Sequence, residues 1–284
     1  MTIDLKISVR SIQKGPTSGG KRGVHLSDEN PILNIIDLQV GIDGNQILKG
    51  IDIKIPSGEI HAIMGRNGSG KTTTANVIMG HPSYEVEGGD VLLEGESILE
   101  MEPWERSRAG VFLSFQYPQA VPGLQVGNFL RKSVGSVRGD DAARGSTFRE
   151  ELKSAMSKLN MPPSFLSRYV NDGFSGGEKK RFEVLQMMLL RPRLAVLDET
   201  DSGLDIDGIR TVAEGINDVV RGTDNGALII THYSRILEHV RPDRIHVMIG
   251  GKIVTSGGPG LATLLEENGY DWLEQRVAEG EEFE

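Results

Sequence analysis

Apolar residues in this chain fall into short dense runs and helix-spaced stretches, and the order of the two kinds outlines a fold. Runs over 32–40 and 46–55 read as two neighbouring strands. Glu59 to Met64 is a mostly apolar run entered through Pro56-Ser57-Gly58, and it reads as a buried strand. A helix is predicted over 72–79 and a strand over 89–93. An apolar run at 111–115 follows, and from about 118 to 171 the pattern turns helical, with helices predicted at 126–137, 147–159 and 164–169. A helix over 182–190 precedes strands at 194–197 and 228–231. Strands at 244–249 and 252–256 flank Gly250-Gly251, a two-residue hairpin turn. Helices at 261–267 and 272–278 close the chain. This order predicts an α/β protein with a parallel central sheet, an antiparallel layer at its start and an inserted helical block. Residues 1–30, glycine-rich at 15–23, are expected to be a flexible tail, and 279–284 an acidic frayed end.

Chemistry enters at the strand ends. Gly65, Arg66, Asn67, Gly68, Ser69, Gly70, Lys71 and Thr72 match G-x-x-x-x-G-K-[S/T], followed by Thr73, between a predicted strand and a predicted helix. Glycines let such a loop curl its N–H groups inward, and the helix N-terminus adds partial positive charge for anions. Lys71 is placed to reach β- and γ-phosphates, and the Thr72 hydroxyl to bind Mg²⁺. A glycine-rich turn could match by accident in a chain with 36 glycines, but the flanking strand and helix decide for nucleotide. The apolar run from Leu194 ends in Asp198 and Glu199, at the sheet edge where ligands of open α/β sheets bind. Asp198 is read as a magnesium-shell carboxylate and Glu199 as the base that polarises the attacking water. Ser175-Gly176-Gly177 opens the helical rhythm of 182–190 and offers a second set of N–H groups to an anion.

Taken in this order, these motifs resemble the ATP-binding cassette family over about residues 32–272. The resemblance implies a P-loop NTPase with a RecA-like parallel core, an antiparallel β layer and a helical subdomain at about 118–175, all within a domain spanning 31–278. It also implies ATP hydrolysis by a dimer, in which Ser175 and Gly177 of one cassette close over the γ-phosphate held by the other. Gln116, after the run at 111–115, matches the family's glutamine sensing magnesium and γ-phosphate. Ser202-Gly203-Leu204-Asp205 matches the loop coupling the two sites, and His232 the histidine contacting γ-phosphate. Alone, a histidine ending a strand reads as hydrogen-bonded core.

Some positions vary from the common pattern. Many cassettes stack adenine on an aromatic residue where this chain has Val40 to Asn45, so an aliphatic contact from Val40 or Ile42 is expected instead. Arg66 stands where proline is usual, a difference expected to change only surface charge. The stretches Ile60 to Gly65, Phe115 to Pro118, Phe174 to Arg181, Asp198 to Asp207 and Thr231 to Leu237 resemble the SufC branch of soluble cassettes in SUF iron–sulfur cluster assembly. That resemblance implies SufB-like and SufD-like scaffold partners. The apolar, proline-stiffened segment 117–124, which could be an ordinary buried connection, is expected to be an exposed docking patch that includes Val121 and Leu124. The alternative is the ATPase subunit of a membrane transporter.

Composition fits a cytoplasmic nucleotide enzyme. The chain lacks cysteine, which excludes disulfides, thiol catalysis and self-ligation of a cluster by thiolate. A net charge of −9 argues against a nucleic-acid surface, and no apolar run is long enough for membrane insertion. The start, Met1 to Lys6, does not read as a secretory signal.

Overall fold

The structure, a computed structural model, describes residues 31–278. The expected tail at 1–30 and acidic end at 279–284 lie outside the described residues. Strands β1 (Leu33–Ile42) and β2 (Asn45–Ile55) form a hairpin around Asp43-Gly44, both at positive φ. Next come β3 (Ile60–Met64), α1 (Lys71–Met79), β4 (Glu85–Leu93), β5 (Glu96–Ser97), α2 (Pro103–Ala109) and β6 (Val111–Ser114). The middle of the chain holds β7 (Val121–Gln125), α3 (Val126–Arg138), α4 (Gly145–Lys158), β8 (Tyr169–Val170) and α5 (Gly176–Leu190). The last part contains β9 (Leu194–Asp198), α6 (Ile206–Val220), β10 (Gly226–Ile230), α7 (Arg235–Val240), β11 (Arg244–Ile249), β12 (Lys252–Gly257), α8 (Gly260–Asn268) and α9 (Asp271–Ala278).

Two sheets carry the architecture. One is antiparallel, ordered β2-β1-β4-β5, and the other runs β12-β11-β3-β10-β9-β6, parallel except for the β11–β12 hairpin. The buried strands of the larger sheet send alternate residues into two cores. Ala195, Leu197, Ala227 and Ile229 face the helices, while Leu194, Val196, Leu228 and Ile230 face α1 and the antiparallel sheet. All eight are at most 1% exposed, so truncating Leu197 to alanine would cost about 2–5 kcal/mol. The parallel strands place β3, β6, β9 and β10 with their C-terminal ends along one edge, and the candidate site residues follow those ends.

Two differences from the sequence pattern stand out in the helical block. Residues 121–125 are a strand, pairing with β8 in a small antiparallel ribbon. The helix predicted over 164–169 is a short 3-10 turn, Pro163–Ser167, leading into β8. The packing of α5 on α6 depends on Gly215, where a Cβ would lie 2.5 Å from Val184 Cγ1. Gly215→Ala would push the two helices apart, at a cost of about 1–3 kcal/mol.

Candidate functional site

The loop after β3 turns into α1 through Gly68 and Gly70, at φ 80° and 111°. A side chain at Gly70 would meet Leu48 at 2.8 Å, so both conformation and space demand glycine there. The β11–β12 turn braces the loop, with the Gly251 N–H donating to Ser69 O at 2.9 Å and Lys49 N–H donating to Gly251 O. Asn67, Gly68, Gly70, Lys71, Thr72, Thr73, Gln116, Glu199 and Ile47 line a cleft of about 420 Å³. The Lys71 ammonium folds back on its own loop, donating to Gly65 O at 2.8 Å and Arg66 O at 2.9 Å. Burial lowers its pKa, opposed by the carboxylates of Glu199 and Asp198.

Asp198 ends β9 almost fully buried, and its pKa is raised to about 6. Desolvation is the main cause; a hydrogen bond from Thr72 opposes it and the Glu199 charge adds to it. Asp198 Oδ1 and Ser69 Oγ are buried without hydrogen-bond partners, so the site holds a carboxylate oxygen that a cation would satisfy and a hydroxyl that would donate to a phosphate oxygen. Glu199 follows at φ 47°, a left-handed conformation uncommon outside glycine and asparagine, which turns the chain off the strand. Its N–H donates to Ile230 O at 2.8 Å, and its carboxylate accepts from Gln116 Nε2 at 2.6 Å. His232 Nδ1 lies 3.2 Å from the other oxygen, Oε1, without hydrogen-bond alignment. Three strand ends thus bring an amide, a carboxylate and an imidazole to one point beside Lys71.

Other predicted residues lie elsewhere. Ser175, Gly176, Gly177 and Asp205 are not among the residues lining this cleft. Ser175 caps α5, its hydroxyl accepting from Glu178 N–H at 3.2 Å, and Glu178 returns a bond to Ser175 N–H. Asp205 caps α6 through Gly208 N–H at 2.8 Å. Gly177 sits against Leu204, so both loops adjoin on one face of the same chain. Val40 is fully buried in the β1 core face and is unavailable to a base; Ile47 is the aliphatic residue that lines the cleft. Arg66 does more than alter surface charge, since its guanidinium pairs with Asp271 and Glu274 on α9.

Sequence reading missed what holds Gln116. Lys180 and Glu183, an (i, i+3) pair on α5, are both buried and 3.2 Å apart. Lys180 Nζ donates to Phe115 O at 2.7 Å, while Glu183 accepts from Phe115 N–H at 2.7 Å and Ser114 Oγ at 2.9 Å. Burial raises the Glu183 pKa and the Lys180 charge opposes this. Charges at that spacing on a helix read as a solvated face, so only the packing reveals this clamp.

The ABC transporter family profile matches residues 48–202, from β2 through the phosphate loop to the turn after Glu199. The chain belongs to the ABC transporter family. It is 51% identical over 249 residues to a probable ATP-dependent transporter of Synechocystis, covering 87% of this chain and 97% of that protein. It is 48% identical over 247 residues to vegetative protein 296 of Bacillus subtilis, covering 86% and 94%. The dimeric post-hydrolysis structure of an ATP-binding cassette bound to ADP and phosphate superposes with a TM-score of 0.69 at 17% identity, covering 80% of this chain and 98% of the other. ABC cassettes hydrolyse ATP with Mg²⁺ as the usual cofactor and function as dimers, and this chain is such an ATPase. Among the described residues no helix is long and apolar enough to cross a membrane.

Proposed function

We propose that this cassette is of the SufC type, and that ATP-driven closure of two copies moves a SufB-like and SufD-like scaffold during iron–sulfur cluster assembly in the cytosol. The observation that carries the catalytic part is the convergence of Gln116, Glu199 and His232 beside Lys71. In this reading Lys71 leaves the carbonyls of Gly65 and Arg66 to neutralise phosphate oxygens. The N–H groups of Gly68, Ser69, Gly70, Thr72 and Thr73 cradle the phosphates. Thr72, Gln116 and Asp198 would hold Mg²⁺, which when bound offsets charge on the β- and γ-phosphate oxygens. Glu199 orients and deprotonates the attacking water, Gln116 fixes the Glu199 carboxylate, and His232 stands beside it to contact the γ-phosphate. Ser175, Gly176, Gly177 and Asp205, away from their own chain's cleft, act on the partner's ATP.

The SUF assignment rests on the Phe174 to Arg181 signature and on a surface beside Gln116. There Phe115, Tyr117, Val121 and Tyr169 are exposed, along the β7–β8 ribbon and the turn leading to it. Leu124, expected in the same patch, instead packs partly buried against the helical core. The name of the Synechocystis relative, a probable ATP-dependent transporter, favours the alternative of a membrane transporter's ATPase. Affinity capture from separated cytosolic and membrane fractions decides between them. SufB-like and SufD-like chains in the cytosolic eluate are the expected result, and capture of integral membrane subunits alone would overturn the SUF reading.

A further inference from the structure

Residue 66 works in two directions. Its carbonyl, with that of Gly65, accepts from Lys71. Its guanidinium reaches α9, donating through Nη2 to Asp271 Oδ1 at 2.7 Å and through Nη1 to Glu274 Oε2 at 3.1 Å. The two carboxylates sit three residues apart on the first turn of α9, so they share a helix face that the planar guanidinium fork can span.

Packing seats the segment beneath these ion pairs. Leu273 is fully buried, and Tyr270 and Trp272 pack against the helical core. The Tyr270 hydroxyl faces the Gly65 main chain without bonding geometry, and it and Trp272 Nε1 are buried with no hydrogen-bond partner. Upstream, Glu266 on α8 bonds the hydroxyl of Ser234, two residues after His232. The C-terminal helices therefore touch both the loop that holds Lys71 and the loop that carries His232. Buried donors without partners cost stability, so the segment is held less firmly than its apolar contacts alone would hold it.

We propose that Tyr270 and α9 form a strap on the phosphate loop, and that Asp271 and Glu274 set the loop's nucleotide affinity by neutralising Arg66. Arg66 is a positioning residue in this scheme. Exposed ion pairs contribute little to stability, and the argument needs none from them. It needs only a guanidinium next to a loop built for anions, compensated while α9 is docked and uncompensated when its carboxylates are gone. Linkage then requires the converse, that nucleotide phosphates loosen the grip of Arg66 on α9.

This inference rests on reading residues 65–72 as the phosphate site, and the experiment separates the two. ATP is titrated into the full chain, into Asp271→Asn with Glu274→Gln, and into Lys71→Ala, while hydrogen exchange is followed over 271–278. The double variant should bind ATP about threefold more tightly at low salt, with the gap closing at high salt. Its KM should fall with kcat unchanged. In the parent chain ATP should speed exchange in α9, and Arg66→Pro, confirmed as folded by circular dichroism, should make that exchange independent of ATP. Unchanged ATP affinity in the double variant, or ATP-independent exchange in the parent, overturns the strap while Lys71→Ala still loses binding. If Lys71→Ala keeps parental affinity, the phosphate-site reading itself has failed, and the strap falls with it.

Discussion

Gln116 and Glu199 meet at the mouth of the cleft, amide to carboxylate, with Nε2 2.6 Å from Oε2. They are separated by 83 residues and lie just past the C-terminal ends of β6 and β9, which pair in parallel register. The glutamine end of this contact is clamped by Lys180 and Glu183 on α5, the helix that Ser175 caps. A shift of Gln116 would thus be felt at Glu199 and at the start of α5 together.

Glu199→Gln tests the base directly. The amide oxygen can still accept from Gln116 Nε2, but an amide is no base and cannot take a proton from the attacking water. Hydrolysis should fall by on the order of 10²–10⁴ while ATP binding persists. Single-turnover assays beside an ATP titration check both halves. Parental turnover in this variant would mean that another group activates the water.

Catalysis across the dimer predicts complementation. Ser175→Arg and Lys71→Ala should each be inactive alone. Mixed, they form heterodimers with one site intact in both loops and the other defective in both. About half of parental activity per heterodimer is the expected ceiling if the two sites fire independently. An inactive mixture whose heterodimers are verified by native mass spectrometry would argue against composite sites.

The exposed surface near Gln116 predicts a docking defect without a nucleotide defect. Tyr117 is 76% and Val121 43% exposed, so aspartate at both positions leaves the core intact. Partner capture should weaken about tenfold or more, the scale of losing one or two buried apolar anchors. Leu124→Asp is the wrong variant, since it would bury a charge against the helical core. Capture at parental strength by the double variant would place the scaffold elsewhere on the cassette.

A pH effect on stability follows from His61 and His246, buried on β3 and β11 and joined through Nδ1 and Nε2 at 3.0 Å. His61 Nε2 lies 2.9 Å from Glu59 Oε2, and His246 Nδ1 lies 2.7 Å from Ser256 Oγ. One tautomer satisfies the row: Ser256 donates to His246, His246 to His61, and His61 to Glu59. Burial lowers both pKa values, that of His246 to about 3, with the His61 charge and Arg244 adding to the latter. Below pH 6.5 the unfolded chain binds protons that the folded chain refuses. Their contribution is therefore complete above 6.5 and is lost as pH falls, by up to about 1.4 kcal/mol per unit for one histidine. Buried Glu183, Asp198 and Asp201 have raised pKa values and act in the opposite sense. Urea titrations of the parent and His246→Gln between pH 7.5 and 5, about the span where histidine titrates, isolate the histidine part. Equal slopes would remove it.

The strands were legible because a parallel sheet covered on both faces demands uninterrupted apolar runs, as at Leu194 to Leu197. Helix α6 was missed although Ile209, Val212, Ala213, Ile216, Val219 and Val220 lie on its buried side. Gly208 and Gly215 dilute the pattern, and the cap at Asp205 falls inside the Ser202 to Asp205 motif, which gives no sign of a helix start. Helices α2 and α7 are seven and six residues long, too short to show a period. The loop chemistry followed from its spacing together with the strand before it and the helix after it. The positive φ of Glu199 and the clamp on Phe115 did not, because both depend on neighbours distant in sequence.

The cap at Ser175 has a consequence for how a second cassette could use that residue. In capping α5 the hydroxyl oxygen accepts the Glu178 N–H, and nothing in that role uses its hydrogen. The lone pair serves the cap and the hydrogen faces the Glu178 carboxylate of the same chain, so an anion on the opposite chain would take over that hydrogen bond without disturbing the cap. No turn of α5 need unwind when a partner's phosphate arrives, and the backbone N–H groups of Gly176 and Gly177 are held ready by the same cap. A carboxamide at 175 would keep both abilities in one side chain but add length, whereas aspartate would keep the cap and turn a bare negative charge toward the incoming phosphate.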